Sequence, residues 1–238
     1  MMTACSYTPE KKRLLKDFDE TAKRLRGVLK SHYGEDFTNI IILEIRQEYE
    51  ALIPQIPYIG NKKPFTQWLL ATAQFLAMYR VLKRHGKSIE EAGRIGYETS
   101  EQILDTSPKF VLRFLGRATF SKKRLRNARI YAEESQKRKY PGDYVFKFVE
   151  GDNESFDFGI DYLECASHKF LASKDALELG PYICATDILQ SERFGWGLAR
   201  TMTLTEGGEK CDFRFKKGGK TNITSTVLAK KRPENSPK

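Results

Sequence analysis

The stretch FTQWLLATAQFLAMYRVL, residues 65–82, constrains this chain more than any other. Its apolar residues fill two helical stripes at once. Trp68, Ala71, Phe75, Met78, Tyr79 and Leu82 form one, and Leu69, Leu70, Ala73, Leu76 and Ala77 form the other. A helix that is apolar nearly all round needs cover on every side, from lipid or from protein. Gln67, Thr72, Gln74 and Arg80 interrupt the run, so it reads as a buried helix and not as a membrane span, and no membrane partner is expected. The first half of the chain must therefore wrap it.

Amphipathic segments supply the wrapping. Leu14, Leu15, Phe18, Ala22, Leu25, Val28 and Leu29 recur at steps of three and four between Pro9 and Tyr33. Thr8 and Pro9 suit the start of that helix and Gly34 its end. A second helix is predicted over Phe37 to Leu52, ending before Pro54, and the central one over Pro64 to Lys83. Ile56 to Lys63 is a connector. Ser88 and Glu91 form a capping-box variant that opens a fourth helix. Pro108 to Lys139 is a fifth helical region, expected to break near Gly116. Residues 1–8 are expected to be disordered.

After Tyr140-Pro141-Gly142 the texture changes to short strands. Tyr144 to Val149 is aromatic and β-branched, Gly151-Asp152-Asn153 reads as a turn, and Phe156 to Glu164 alternates with Phe156, Phe158, Ile160 and Tyr162 on one face. Cys165 to Ala176 and Pro181 to Gln190 read as short helices. Two further strands follow, Leu198 to Leu204 and Cys211 to Phe215, with Gly207-Gly208 as a hairpin signal between them. Alternation places Leu198, Arg200, Met202 and Leu204 on one face, and separates Cys211, Phe213 and Phe215 from Asp212 and Arg214. A weak strand-like run covers Ile223 to Leu228. The expected architecture is α+β: a helical N-terminal half packed on a C-terminal antiparallel sheet of about four strands with inserted helices. Residues 1–140 form the helical region, 141–218 the α+β region and 219–238 a basic tail, all within one composite domain.

Charge and cysteine content narrow the function classes. Residues 1–140 carry 27 Lys and Arg against 16 Asp and Glu, whereas residues 141–238 carry 14 against 15. The basic excess is densest in SKKRLRNAR, residues 121–129. No nucleic-acid-binding motif accompanies it, and Phe110, Phe114 and Phe120 read as packing residues, so the run reads as a solvated helix face and nucleic acid is not the expected partner. The cysteines at 5, 165, 184 and 211 include no CxxC pair and match no disulfide-rich module. With no secretory signal after Met1, they read as reduced thiols of a cytoplasmic protein.

The chemistry-bearing residues cluster late in the chain. Cys184 and Cys211 are candidate nucleophiles, and neighbouring arginines would lower a thiol pKa. Glu164, Asp187 and Asp212 are candidate general acids or bases, and each can equally serve a structural ion pair. Arg200 stands on an otherwise apolar strand face and needs an anionic partner; with Arg214 it can clamp a carboxylate. A zinc site from Cys165, His168, Cys184 and Cys211 is the weaker alternative, and no cofactor is expected. No phosphate loop, GxSxG elbow or HExxH motif is present.

Four blocks in order, DYLEC (161–165), PYICATD (181–187), LARTMTL (198–204) and CDFRFKKG (211–218), resemble the L-2-amino-thiazoline-4-carboxylic acid hydrolase family. The resemblance implies hydrolytic opening of an amidine-like ring, converting the thiazoline amino acid to N-carbamoyl-L-cysteine in a bacterial route to cysteine. It implies a small-molecule carboxylate as substrate. Such a reaction needs a nucleophile or activated water, a proton donor for the leaving atom and a cation for the substrate carboxylate. Cys184, Asp187, Cys211 and Asp212 are the residues offered for the chemistry, and Arg200 and Arg214 for binding. The alternative is a non-catalytic, regulatory protein that binds a small molecule on the same fold.

Overall fold

The computed structural model describes residues 6–61, 64–152, 154–225 and 227. Eight α-helices are present among them: α1 (Lys11–Tyr33), α2 (Glu35–Leu52), α3 (Phe65–Arg84), α4 (Ile89–Leu104), α5 (Lys109–Thr119), α6 (Lys122–Ser135), α7 (Ala166–Ala172) and α8 (Gly180–Phe194). Five strands join them: β1 (Val145–Glu150), β2 (Phe158–Glu164), β3 (Leu198–Arg200), β4 (Cys211–Phe215) and β5 (Asn222–Ile223). The class is α+β, as the patterning predicts.

Helix α3 is the centre of the helical half. Leu69, Ala73, Leu76, Ala77, Val81 and Leu82 are wholly buried. α2 packs on both α1 and α3, and α4 bridges α1, α3 and α8. Truncating Leu69 or Leu76 to alanine would cost about 2–5 kcal/mol, since nothing but core surrounds them. α4 begins as expected: the Ser88 side chain accepts from Glu91 N while the Glu91 carboxylate accepts from Ser88 N at 2.9 Å.

Several boundaries differ from expectation for physical reasons. Tyr7 is fully buried and donates its hydroxyl to Gly60 O at 2.9 Å, so the chain is anchored within the segment expected to be disordered. The long basic region breaks at Phe120 and Ser121, where the Ser121 hydroxyl caps α6, and not at Gly116. Gly116 lies inside α5 because a Cβ there would fall 1.9 Å from Phe194 O; the glycine lets α5 meet the end of α8. Phe110 and Phe114, expected to pack, stand 76% and 71% exposed, whereas Phe120 packs on Phe158.

The sheet order is β1-β2-β4-β3-β5. Every pairing is antiparallel except β3 with β5, so the sheet is mostly antiparallel, as expected, and has five strands against the expected four or so. β5 is only two residues, too short to carry an alternation signal, and the strand-like run toward Leu228 otherwise lies partly outside the described residues. Residue 153 of the expected turn and the end of the basic tail also lie outside them. The register stacks Phe146, Tyr162 and Cys211 in one row, and Phe158, Phe215 and Leu198 in another. These residues face the helices. The opposite face carries Lys147, Asp161, Asp212 and Arg214. Among the described residues no helix is long and apolar enough to cross a membrane.

Candidate active site

Helix α8 and the β3–β4 connection build the site. α8 starts with Pro181 in its first turn, and Cys184 and Asp187, three residues apart, share one of its faces. A Cβ on Gly93 of α4 would lie 2.0 Å from the Tyr182 ring, so that glycine admits α8 close to α4. β3 ends at Arg200 because the next two amides leave the ladder. Thr201 N and Met202 N donate to the Asp212 carboxylate at 2.9 and 2.8 Å, and the Thr201 hydroxyl donates to it at 2.6 Å. Thr203 then caps the 3-10 turn Leu204–Glu206, which Gly207 closes at φ +85°. The expected strand to Leu204 is therefore cut to three residues, although β3 and β4 still pair as a hairpin.

That turn brings the groups together. Thr205 Oγ1 lies 3.4 Å from Cys184 Sγ, and Leu204 N donates to Cys211 Sγ at 3.3 Å. Arg200 Nη1 donates to the Asp187 carboxylate and, at 3.2 Å, to Cys184 O. The guanidinium sits 5.4 Å from the Phe213 ring centre. Cys165, at the end of β2, and Tyr162, opposite Cys211 in the ladder, are close enough to interact electrostatically with this group. Arg200 is 1% exposed, and its Nε has no hydrogen-bond partner among the described residues. Asp187 keeps a quarter of its side-chain surface open, and Cys165 and Cys184 are also half-buried.

Burial sets the electrostatics. It pushes Asp187 up to about 6, against the pull of Arg200, so the carboxyl titrates near neutrality. Burial also pushes the thiols of Cys165, Cys184 and Cys211 up to about 12. The arginine does not activate them as the sequence suggested, because desolvation of the thiolate outweighs its charge. Tyr162 is likewise driven upward by burial.

Of the residues singled out in the sequence, Cys184, Asp187, Arg200 and Cys211 converge. Asp212 and Arg214 lie on the other sheet face. Burial raises the Asp212 pKa, but the hydrogen bonds from Thr201 and Met202 outweigh it and hold the carboxyl low. Arg214 donates to Asp161 at 2.7 Å and to Phe213 O, so it does not clamp a carboxylate together with Arg200. Glu164 is held by Arg138 and Lys169. Among the described residues no group of three or more His, Cys, Asp and Glu side chains is arranged to hold a metal ion, the set of His168 and the three cysteines included. Thr205 and Tyr162 were missed as site members. Tyr162 was legible on the inner face of its strand, but the register that sets it opposite Cys211 was not.

The molecule is thus an α+β protein whose sheet buries a carboxylate–guanidinium pair among thiols. A sequence model of the L-2-amino-thiazoline-4-carboxylic acid hydrolase family matches residues 68–215, from the central helix to the end of β4. The chain belongs to that family. Neither the curated proteins nor the solved structures searched gave a match.

Proposed function

We propose that this chain is a hydrolase that opens a small heterocyclic, amidine-like ring bearing a carboxylate, with L-2-amino-thiazoline-4-carboxylate as the substrate to test first. The observation that carries the reading is the pairing of Asp187 with a buried Arg200 whose Nε–H has no partner among the described residues, beside the half-buried Cys184. A buried guanidinium with an unused donor suits an anion that arrives as a ligand. A carboxyl titrating near 6 is a base at neutral pH that can also return a proton.

In this mechanism Asp187 takes a proton from water as its oxygen attacks the ring carbon between sulfur and nitrogen. The tetrahedral intermediate collapses by breaking the carbon–sulfur bond. The sulfur leaves with the proton held on Asp187; as the added hydroxyl closes to the urea carbonyl, its proton passes to the ring nitrogen, which took up the carbon–nitrogen π pair when water added. Arg200 steadies the substrate carboxylate through Nε while holding Asp187 through Nη1. Cys184 and Thr205, in contact with each other, stand beside the pair. The protonated thiols favour activated water over thiolate attack.

The test is turnover of L-2-amino-thiazoline-4-carboxylate, read as new free thiol, in wild type and in Asp187→Asn, Arg200→Lys and Cys184→Ala. Thiol release that survives Cys184→Ala and collapses in Asp187→Asn is the expected result. Loss of all turnover in Cys184→Ala alone would restore the nucleophilic thiol. Saturable binding without turnover in wild type would move the chain to the non-catalytic reading.

A further inference from the structure

The strongest unassigned feature is the surface of α5 and the start of α6. Phe110 and Phe114 lie one turn apart on α5 and are 76% and 71% exposed; Leu115 beside them is 45% exposed. Lys109, Arg113 and Arg117 flank them on the same helix, and Lys122, Lys123 and Arg124 follow at the start of α6. All six cations are exposed, and none has an ion-pair partner among the described residues. The ion pairs of this region belong to Arg129, Lys137 and Arg138 instead. Two large aromatic side chains held in water have no folding role, and a basic frame around them is complementary to an apolar phase bounded by anions.

We propose that this face is a peripheral membrane-binding surface, in which Phe110 and Phe114 insert among the acyl chains of an anionic bilayer while the surrounding Lys and Arg side chains contact its headgroups. Charge complementarity selects this occupant. A second copy of the chain would bring the same basic face against itself. Nucleic acid would satisfy the cations but offers no acyl phase for Phe110, Phe114 and Leu115. The surface stands apart from the Asp187–Arg200 pair, so the inference does not rest on the proposed hydrolase activity.

The experiment is co-sedimentation of the full chain with vesicles of phosphatidylcholine alone and of phosphatidylcholine mixed with phosphatidylserine. Binding to the mixed vesicles and not to the neutral ones is expected. Raising NaCl from about 0.05 to about 0.5 M should weaken it tenfold or more, because the Debye length shrinks below the headgroup spacing of the contact. Phe110→Ala/Phe114→Ala should weaken it by about tenfold or more at low salt, with an unchanged thermal midpoint since both rings are exposed. Lys122→Glu/Lys123→Glu should do the same. Absence of binding to the anionic vesicles overturns the proposal. So does binding that ignores the phenylalanine pair, since charge alone would then explain it. Oligonucleotide binding, or self-association in sedimentation, that depends on the phenylalanine pair without vesicle binding also overturns it, in favour of that occupant.

Discussion

Arg200 donates through Nη1 to the Asp187 carboxylate while its Nε, buried with the rest of the side chain, donates to no group among the described residues. A buried pair is a poor source of net stability, but removing one member is costly because the other is left unpaired. Arg200→Met should therefore destabilise the fold by about 3–5 kcal/mol at pH 8, where Asp187 is ionised. The carboxyl can escape by binding a proton, so the cost should shrink at pH 5. Urea titrations at the two pH values read the difference, and Arg200→Met/Asp187→Leu should recover much of the loss. Equal losses at both pH values would mean that Asp187 is not the partner that matters.

The same carboxyl makes a pH prediction of definite sign. Its pKa rises from 3.8 in the unfolded reference to about 6 in the folded protein. Between those values the native state holds a proton that the unfolded chain releases. This group's contribution is fully present below the unfolded value and is lost as pH climbs through about 6, by at most about 3 kcal/mol. Catalysis should run the other way, since the base must be free. The kcat/KM for ring opening should rise through pH 6 and level off, and Asp187→Asn should leave a low, flat profile.

Asp212 tests positioning against chemistry. It accepts from two amides and a hydroxyl at the end of β3, directly after Arg200. Asp212→Asn keeps an acceptor but loses the charge, and should cost about 1–2 kcal/mol in stability. Turnover should fall because Arg200 is held less firmly, yet the midpoint of the pH profile should stay near 6. A profile whose rising limb vanishes would make Asp212 the base.

Much of this was readable before any coordinates. The two stripes of α3 required a central helix, and the Cys211 to Phe215 alternation matched β4 residue for residue. That alternation also separated Cys211 from Asp212 and Arg214, and the register places them on opposite sheet faces. Arg200 on an apolar face called for a carboxylate partner, from the protein or from a ligand, and Asp187 supplies one. Three things were hidden. The early end of β3 depends on a long-range acceptor, Asp212, that no local propensity encodes. The parallel edge strand β5 is too short to show a period. The exposure of Phe110 and Phe114 depends on which α5 face α8 covers, and the buried Leu112 and Gly116 decide that.

Gly116 gives a packing prediction independent of the site. The atom a Cβ would meet at 1.9 Å is the main-chain carbonyl of Phe194, which cannot rotate away. Gly116→Ala must push α5 from α8, and the loss should be about 1–3 kcal/mol by thermal or urea unfolding despite alanine's better helix propensity. Gly86→Ala is the contrast: φ is +74° but no atom lies within 4 Å, so only the backbone strain is felt.

Thiol reactivity decides between the two mechanisms without any substrate. Cys165, Cys184 and Cys211 all have pKa values pushed up to about 12 by burial, so at pH 7.5 almost none of each is thiolate. A thiol reacts through its thiolate, and a shift of about three units leaves roughly a thousandth of an ordinary cysteine's reactive fraction. Alkylation of the folded protein with iodoacetamide, followed by peptide mass analysis, should mark these three positions far more slowly than after unfolding in urea. Cys184 should react faster than Cys211 because it is the more open of the two. Rapid alkylation of Cys184 at neutral pH would instead mean that a thiolate forms beside Asp187 and Arg200. The water-attack step would then have to be replaced by a covalent one at that sulfur.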